Sequence, residues 1–369
     1  MVIAYSCMIM HTPRPMLRAA ILGASGYVGA ELLRLLAGHP AVRATRLFGG
    51  SRAGESVAAV HPQLAADYPD AAFESYAADL RDVDIVLAAL PHGESQKVAP
   101  AILDAGIPFI DLGADFRLND AATFARWYGE QHQAPELLGR FAYGLPELHR
   151  DAILGARAVA APGCYPTAAI LALKPLLPFI EAGSIIVDAA SGVTGAGRVP
   201  KEGTHFSTVS ESFAAYGLLN HRHTAEMEME LGEGVLFTPH LAPMNRGILA
   251  TCYAKATKAF DPLAVLHQAY ENETFVTVHN EPPATKWTLG TNSARLTARY
   301  DERTGRVLAI AAMATIMPVR SSWRAVRKAA FDPVAHLVSG SASPTWTKRS
   351  FATASARMAS GSHGPVARA

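Results

Sequence analysis

The sequence has few cysteines, almost no net charge and no long apolar run, and each absence excludes a class of protein. Three cysteines, Cys7, Cys164 and Cys252, are spread over 369 residues without a CxxC pair or a zinc-binding pattern. Such spacing indicates a reducing compartment rather than a disulfide scaffold. A formal net charge of +1 provides no basic excess for binding nucleic acid or anionic lipid. No apolar run approaches the roughly 18 residues of a membrane span. We therefore expect a cytoplasmic protein that acts on small molecules, with neither nucleic-acid nor membrane partners.

A basic region and a cleavage site are also missing from the apolar first ten residues, which argues against a signal peptide. Met16 stands directly before the first apolar strand pattern. We therefore expect residues 1–15 to be a non-native or disordered extension that results from an over-extended start.

A glycine-rich turn follows the first predicted strand, Arg18 to Leu22, and precedes a helical pattern that continues through Leu36. Glycines three residues apart in this position allow a tight turn and a close approach of pyrophosphate to the backbone. An ordinary glycine-rich turn remains an alternative, because such turns are common. The predicted cofactor-binding residues here are Gly23, Ser25, Gly26, Tyr27 and Val28.

The end of the second predicted strand, Val42 to Phe48, favours NADP over NAD. An NAD-binding protein usually has a carboxylate there for the ribose hydroxyls. Ser51 and Arg52 occupy this place instead, and a hydroxyl with a guanidinium suits a 2′-phosphate. The alternative is a solvated arginine in a loop.

Two further apolar strands are predicted, Asp84 to Leu90 and Ile107 to Leu112, with a helix ending near Ala105 between them. The loops after parallel strands lie along the cofactor crevice. Pro91 and His92 follow one strand and are predicted cofactor contacts, although the residues alone favour a turn position for His92 over a base.

Cys164 is the candidate nucleophile. A small apolar strand, Ala158 to Ala161, is followed by Pro162-Gly163, and Pro166 suits the first turn of a helix. A thiol at a helix N-terminus is close to the positive end of the helix dipole and to unpaired N–H groups, which favour the thiolate and could bind an oxyanion. The alternative is a buried cysteine that packs as a small apolar residue.

The stretch from Val159 to Pro175 resembles the active-site signature of N-acetyl-gamma-glutamyl-phosphate reductases, members of the aspartate-semialdehyde dehydrogenase-like superfamily. The Leu-Pro-His-Gly turn at His92, the Asp-Phe-Arg turn at Arg117 and the Tyr-Gly-Leu-Pro-Glu run at Tyr143 are similar to the same family. The resemblance covers residues 18 to 312. It implies NADPH-dependent reduction of N-acetyl-gamma-glutamyl phosphate to the 5-semialdehyde with release of phosphate. It also implies a homo-oligomer, dimer or tetramer, joined through the sheet of the second domain.

The second half of the chain supplies the other residues to which the resemblance assigns roles. It places Ser191 and Gly192 beside the nicotinamide and makes His221 the acid/base. A metal site at the two neighbouring histidines is an alternative without a third ligand at a useful spacing, and we expect no bound metal. We expect His223 to point away from the site and Thr224 to cap the following helix. The predicted substrate-binding residues are Arg117, Arg198, Arg222, Glu226 and Arg246.

The predicted fold is α/β, a Rossmann-type NADP-binding domain over residues 16–162 and an α+β catalytic and oligomerisation domain over 163–313. Strands near 185–188, 275–278, 294–300 and 307–312 and a helix that begins at Asp261-Pro262 belong to the second domain. Cys252 is predicted to lie in the core of its sheet.

Residues 314–369 depart from the family pattern. Asp332 is the only acidic residue after Glu302, while alanine, serine and basic residues dominate. We expect a divergent and partly disordered tail, and a frameshift near Ala314 would explain it. Two alternative functions therefore stay open: an aminoadipyl-phosphate reductase of lysine synthesis, and an inactive NADP-binding protein.

Overall fold

Two β-sheets of different kinds form the core of the computed structural model, which describes residues 16–76 and 80–314. The first sheet is built from β1 (Leu17–Leu22), β2 (Val42–Phe48), β3 (Ile85–Ala88), β4 (Phe109–Asp111), β5 (Ala142–Tyr143) and β6 (Ala158–Ala160). The second is built from β7 (Ile185–Gly192), β8 (Ala214–Ala215), β9 (Val235–Ala242), β10 (Ile248–Lys255), β11 (Val276–Val278), β12 (Ala294–Asp301) and β13 (Arg306–Met313).

Nine α-helices are found in the described part of the chain. They are α1 (Tyr27–Ala37), α2 (Val57–Val60), α3 (Ser95–Asp104), α4 (Ala121–Tyr128), α5 (Pro146–Gly155), α6 (Cys164–Leu173), α7 (Phe206–Val209), α8 (His223–Leu231) and α9 (Pro262–Tyr270). None of those helices is long and apolar enough to cross a bilayer.

The first sheet is parallel throughout, in the order β2-β1-β3-β4-β6-β5. Its central strands are apolar on both faces, and all four residues of β3 are buried. Such strands occur where helices cover both sides of a parallel sheet. The carboxyl ends of β1, β3, β4 and β6 therefore meet at one edge, where ligands bind in open α/β sheets.

The second sheet is mixed, in the order β11-β12-β13-β10-β7-β9-β8. Buried and half-buried residues alternate along β7 and β10, as in a sheet with one covered face. Helix α6 packs on the covered face against β10 and β13, while α9 packs on β12 and α8 on β9. Cys252 is fully buried on this face, as the sequence predicts.

Most element positions agree with the sequence interpretation, and β2 has the predicted bounds. The Asp261 side chain caps α9 by accepting from the N–H groups of Leu263 and Ala264. The predicted N-cap at Thr224 is wrong, because α8 begins at His223 and the Thr224 N–H donates to the His221 carbonyl. The extension at 1–15 and the tail from 315 lie outside the described residues, and the domain boundary near residue 162 stays a prediction.

Candidate active site

A cleft of about 1870 Å³ runs from the glycine-rich turn after β1 to the start of α6. Most of the predicted site residues lie along it. They are Gly23, Ser25, Gly26, Tyr27, Val28, Ser51, Arg52, Pro91, His92, Arg117, Cys164, Ser191, Arg198, His221 and Arg222. Gly192, Glu226 and Arg246 are not among the residues that line the cleft.

The glycine-rich turn has the geometry that a dinucleotide needs. Gly23 has φ +78°, and a Cβ there would lie 2.3 Å from the Ala89 carbonyl oxygen. A Cβ on Gly29 would lie 2.4 Å from the Gly23 oxygen, so only glycine lets α1 pack this closely. Gly26 precedes α1, and within the described residues no side chain caps that helix. Its first N–H groups are therefore available to a phosphate.

Ser51 and Arg52 follow β2 and lie at the same end of the cleft. The Arg52 guanidinium pairs with Glu55 at 3.0 Å, and both side chains are more than 40% exposed. An exposed pair of this kind contributes little, so a phosphate can replace the carboxylate at small cost. The residues present thus fit a 2′-phosphate.

His92 is held between two carboxylates. Its Nδ1 lies 2.8 Å from Asp115 Oδ1 and its Nε2 lies 2.9 Å from Glu130 Oε1. Asp115 also accepts from the Gly93 N–H. Burial favours the neutral acid, but these hydrogen bonds outweigh it and lower the pKa of Asp115. Both ring nitrogens lie beside carboxylate oxygens, His92 also lines the cleft, and its cofactor contact stays a prediction.

Cys164 is the first residue of α6, preceded by the N-cap Gly163. Burial raises the pKa of the Cys164 thiol. The Arg117 guanidinium and the N–H groups of Tyr165 and Cys164 lower it only in part, so the pKa lies above its ordinary value. The N–H groups at the helix N-terminus lower the pKa of the thiol, but burial outweighs them, and the role of Cys164 as nucleophile stays a prediction.

The raised pKa predicts the pH dependence of alkylation at Cys164. Since only the thiolate reacts, the rate should rise with pH to a midpoint above that of a cysteine peptide measured alongside. Iodoacetamide modification of the Cys164 peptide, followed by mass spectrometry across a pH series, measures this midpoint. A midpoint below that of the peptide would mean that the helix and Arg117 outweigh burial.

Arg117 and Glu226 form a buried pair beneath this turn, with side chains 10% and 2% exposed. Glu226 Oε1 accepts hydrogen bonds from the Gly163 N–H at 2.6 Å and from the Tyr143 hydroxyl at 2.7 Å. Glu226 Oε2 lies 3.6 Å from Arg117 Nη1. Arg117 Nε donates to the Ala161 carbonyl. Both side chains therefore hold the segment that carries Cys164, and Arg117 also lines the cleft whereas Glu226 does not.

A backbone hydrogen bond fixes which ring nitrogen of His221 carries the proton. The backbone N–H of His223 donates to His221 Nδ1 at 3.2 Å, so neutral His221 has its proton on Nε2. Burial, with Arg222 nearby, lowers the pKa of His221 to about 4. At neutral pH His221 is thus an N–H donor. This tautomer suits proton donation to an oxygen, whereas Nε2 cannot accept the thiol proton without a change of tautomer.

His223 does not point away from the site, contrary to the sequence interpretation. Its Nε2 lies 3.4 Å from Arg117 Nη1, and its ring lines the cleft. A Cβ on Gly163 would lie 2.7 Å from this nitrogen, so a larger residue before Cys164 would displace the His223 ring. The reason is that α8 starts at His223, which turns the ring back toward α6.

Two predicted substrate-binding arginines contact residues in or just before α1, and one of them, Arg198, also lines the cleft. Arg198 Nη1 donates to the Ser25 carbonyl at 2.8 Å. Arg246 Nη1 lies 3.3 Å from Glu31 on α1, outside the cleft. Gly192 is also packed away from the cleft, since a Cβ there would lie 2.7 Å from the Asn245 carbonyl oxygen. These three residues connect loops of the second sheet to each other or to the cofactor turn.

Arg222 remains the exposed cation beside His221. Its guanidinium lies 5.5 Å from the Tyr128 ring centroid, and the side chain lines the cleft. Lys201, which the sequence interpretation did not select, lines the cleft as well. Both are cations that line the cleft.

Two tyrosines were missed as site residues. Tyr143 begins a family-like run to which the sequence interpretation gives no role, yet it donates to Glu226 beneath Cys164. The Tyr216 hydroxyl lies 3.2 Å from the Tyr165 hydroxyl, which in turn donates to the His240 carbonyl. The family-like run marks the position of Tyr143 but not its contact, and the partners of both tyrosines are distant in the sequence.

Comparison with known proteins identifies the family. Residues 18–156 match the model of the semialdehyde dehydrogenase NAD binding domain, and residues 164–314 match the semialdehyde dehydrogenase dimerisation domain. The N-acetyl-gamma-glutamyl-phosphate reductase of Moorella thermoacetica is 44% identical over 315 residues, 81% of this chain and 90% of that protein. That of Symbiobacterium thermophilum is 46% identical over 308 residues, 80% of this chain and 88% of that protein. The chain belongs to the N-acetyl-gamma-glutamyl-phosphate reductase family.

Solved structures of the superfamily share the fold of this family member. Aspartate semialdehyde dehydrogenase II from Vibrio cholerae, complexed with ASA, superposes with a TM-score of 0.65 at 15% identity and covers 85% of this chain and 98% of its own. The Candida albicans enzyme with NADP gives 0.64 at 13% identity, with the same coverage. The predicted α/β class with a Rossmann-type domain and a second α+β domain is confirmed.

Membership of this family confirms the resemblance found in the sequence and makes the chain an oxidoreductase. Within residues 16–76 and 80–314, no group of three or more histidine, cysteine, aspartate or glutamate side chains is arranged to hold a metal ion. The roles of individual site residues and the cytoplasmic location stay predictions.

Proposed function

We propose that this protein reduces N-acetyl-gamma-glutamyl phosphate to N-acetyl-L-glutamate 5-semialdehyde with NADPH and releases phosphate. One observation carries this proposal: Cys164 begins a helix within the cleft that also contains a dinucleotide-type glycine turn. A nucleophile and a hydride donor in one cleft are what reduction of an acyl phosphate requires. When bound, the dinucleotide supplies the hydride.

In the first step, the Cys164 sulfur attacks the acyl carbon and the C–O bond to phosphate breaks. The phosphate leaves with the bonding electrons and takes up the thiol proton, and a thioester forms on Cys164. The first-turn N–H groups of Cys164 and Tyr165, which lower the pKa of the thiol, can also stabilise the oxyanion. Arg117 favours the thiolate electrostatically when the thiol proton departs.

In the second step, the thioester carbon is reduced and its oxygen requires a proton. His221 has Nε2–H available, so it can donate that proton while its Nδ1 takes up another from solvent, which gives a thiohemiacetal without forming an imidazolate. The hydroxyl proton then passes to the sulfur as the C–S bond breaks, which releases the aldehyde and restores the Cys164 thiol.

The charges of the substrate fit the cationic residues in the cleft. The substrate has a carboxylate and a phosphate, and Arg222 is the exposed guanidinium next to His221. A guanidinium binds either group bidentately. Arg222 is therefore our substrate-binding residue, in preference to Arg117, Arg198, Glu226 and Arg246, whose side chains contact other parts of the protein.

Replacement of Arg52 tests the assignment of NADP. Arg52→Ala should raise the KM for NADP⁺ by about tenfold or more, because charge-assisted hydrogen bonds to a phosphate are lost. The KM for NAD⁺ should hardly change. Arg43→Ala, another arginine of the first domain, is the control. An equal effect of Arg52→Ala on both cofactors would contradict a 2′-phosphate contact.

The function itself is tested in reverse, because the acyl phosphate is unstable. The protein should reduce NADP⁺ when N-acetylglutamate 5-semialdehyde and phosphate are both present. A higher kcat/KM for the aminoadipyl homologue would favour a lysine-pathway reductase. NADPH binding without turnover of either substrate would favour the inactive NADP-binding protein.

We further propose a homo-oligomer joined through the uncovered face of the second sheet. Ile186, Tyr253 and Leu308 are neighbours across β7, β10 and β13 on that face. Each is only partly buried, although each is apolar or aromatic. A second copy would remove such a surface from water, in keeping with the dimerisation domain that residues 164–314 match.

A further inference from the structure

Two side chains from distant parts of the chain bind neighbouring carbonyl groups of the glycine-rich turn after β1. His61 Nε2 lies 3.1 Å from the Ala24 carbonyl oxygen. Arg198 Nη1 donates to the Ser25 carbonyl oxygen at 2.8 Å. His61 follows α2 in the first half of the chain, whereas Arg198 follows β7 of the second sheet. The cofactor turn is therefore held by one residue from each half of the chain.

His61 is a hydrogen-bond donor in this contact. A carbonyl oxygen can only accept, so the proton of the neutral ring is on Nε2. Burial lowers the pKa of His61 and outweighs the opposite effect of its bond to Ala24. The side chain is 3% exposed, and its ring packs edge-on against Phe73 at a centroid distance of 5.9 Å. The ring is thus neutral and fixed in orientation at physiological pH.

The two contacts determine the direction of the peptide units that face a phosphate. In a planar trans peptide the carbonyl and the N–H point in opposite directions. The bond from His61 to the Ala24 carbonyl therefore also orients the Ser25 N–H, which has no acceptor among the described residues. The bond from Arg198 orients the next peptide unit, directly before α1, and Ser25 Oγ donates to the Gly49 carbonyl at 2.8 Å. Ser25 and Gly26 both line the cleft.

We propose that His61 and Arg198 are positioning residues that hold the glycine-rich turn in its phosphate-binding shape before the dinucleotide arrives. Arg198 then serves the cofactor rather than the substrate, although it belongs to a loop of the second sheet. A turn that is ordered in advance avoids an ordering cost on binding. A turn that has the binding shape for only a fraction of the time loses affinity by that fraction. The proposed function enters only through the substrates of the kinetic comparison below.

Matched pairs of variants test the two hydrogen bonds. His61→Phe keeps a ring but loses the donor, whereas His61→Gln keeps an N–H group near the position of Nε2. Arg198→Met and Arg198→Lys form the second pair. His61→Phe and Arg198→Met should weaken NADPH binding by about tenfold in a fluorescence titration, while His61→Gln and Arg198→Lys should stay within about threefold. Arg303→Met, at an exposed arginine of the second sheet, should leave the affinity unchanged.

Hydrogen exchange of the turn provides a readout that needs no cofactor. In the protein without NADPH, the peptide that spans residues 22–30 should exchange about tenfold faster in His61→Phe and Arg198→Met than in the wild type. Exchange in β3 should not change. Far-UV circular dichroism shows whether each variant is folded. If His61→Phe does not fold, the half-buried Arg198 decides through Arg198→Met alone.

The outcomes separate this inference from the proposed function. Wild-type NADPH affinity and wild-type exchange in His61→Phe and Arg198→Met would overturn the inference. Equal losses in His61→Gln and Arg198→Lys would overturn hydrogen bonding as the cause. A raised KM of Arg198→Met for the semialdehyde or phosphate, with unchanged NADPH affinity, would return Arg198 to substrate binding. A wild type that binds NADPH without reductase activity would refute the proposed function and leave this inference intact.

Discussion

Cys164→Ser should lower kcat by about a thousandfold or more while NADPH still binds with wild-type affinity. A serine hydroxyl at the same helix position is a far weaker nucleophile than a thiolate, so no thioester would form at a useful rate. The cofactor turn at Gly23 to Val28 is built from β1 and α1 and does not depend on the sulfur. The variant should therefore lose turnover and keep cofactor binding.

This variant is best compared with Cys252→Ser. Cys252 is fully buried in β10, and burial raises the pKa of its thiol to about 12. A hydroxyl there should affect stability more than chemistry, so the kcat of the folded fraction should remain within about threefold of wild type. Turnover of Cys164→Ser at a tenth of wild type or better would refute the role of Cys164.

Arg117→Met should destabilise the protein by roughly 3 kcal/mol, because it leaves Glu226 buried without its cation. The loss should be limited by the hydrogen bonds that Glu226 keeps with Gly163 and Tyr143. Arg117→Met should also slow turnover at neutral pH by about tenfold or more, since Arg117 lowers the pKa of Cys164. Urea unfolding and steady-state kinetics measure the two effects.

The double variant Arg117→Met/Glu226→Gln shows whether the loss of stability comes from breaking the ion pair between these two side chains. Removal of both charges should restore most of the stability, so the two single effects should not add. Arg150→Met is the matched control. Its ion pair with Glu273 is more exposed, and its loss should cost less than about 1 kcal/mol. Additive effects of Arg117→Met and Glu226→Gln would show that the two side chains act independently.

Regular apolar patterns carried the fold prediction. The alternation and runs that mark β2, β3 and β13 are local, so the chain shows them directly. The strand, turn and helix around Cys164 were also evident, because Pro162, Gly163 and Pro166 are strong local signals. By contrast, β5 and β8 are two residues long and have no pattern of their own.

The site was harder to predict because its contacts are long-range. Arg246 meets Glu31 across 215 positions of sequence, and Glu226 meets Gly163 across 63. The sequence alone cannot distinguish an arginine that faces a cleft from one that forms an ion pair next to the cleft. The shift of the Cys164 pKa could not be predicted for the same reason. The helix start is visible in the local sequence, but the burial that outweighs its effect depends on tertiary packing.

Acylation of Cys164 is the most direct test of this account. Freshly prepared N-acetyl-gamma-glutamyl phosphate is added to the protein without NADPH, the reaction is quenched in acid, and the Cys164 peptide is examined by mass spectrometry. We expect an N-acetylglutamyl group on Cys164 that disappears when NADPH is added before the quench. An unmodified Cys164 in a protein that still turns the substrate over would contradict the thioester mechanism.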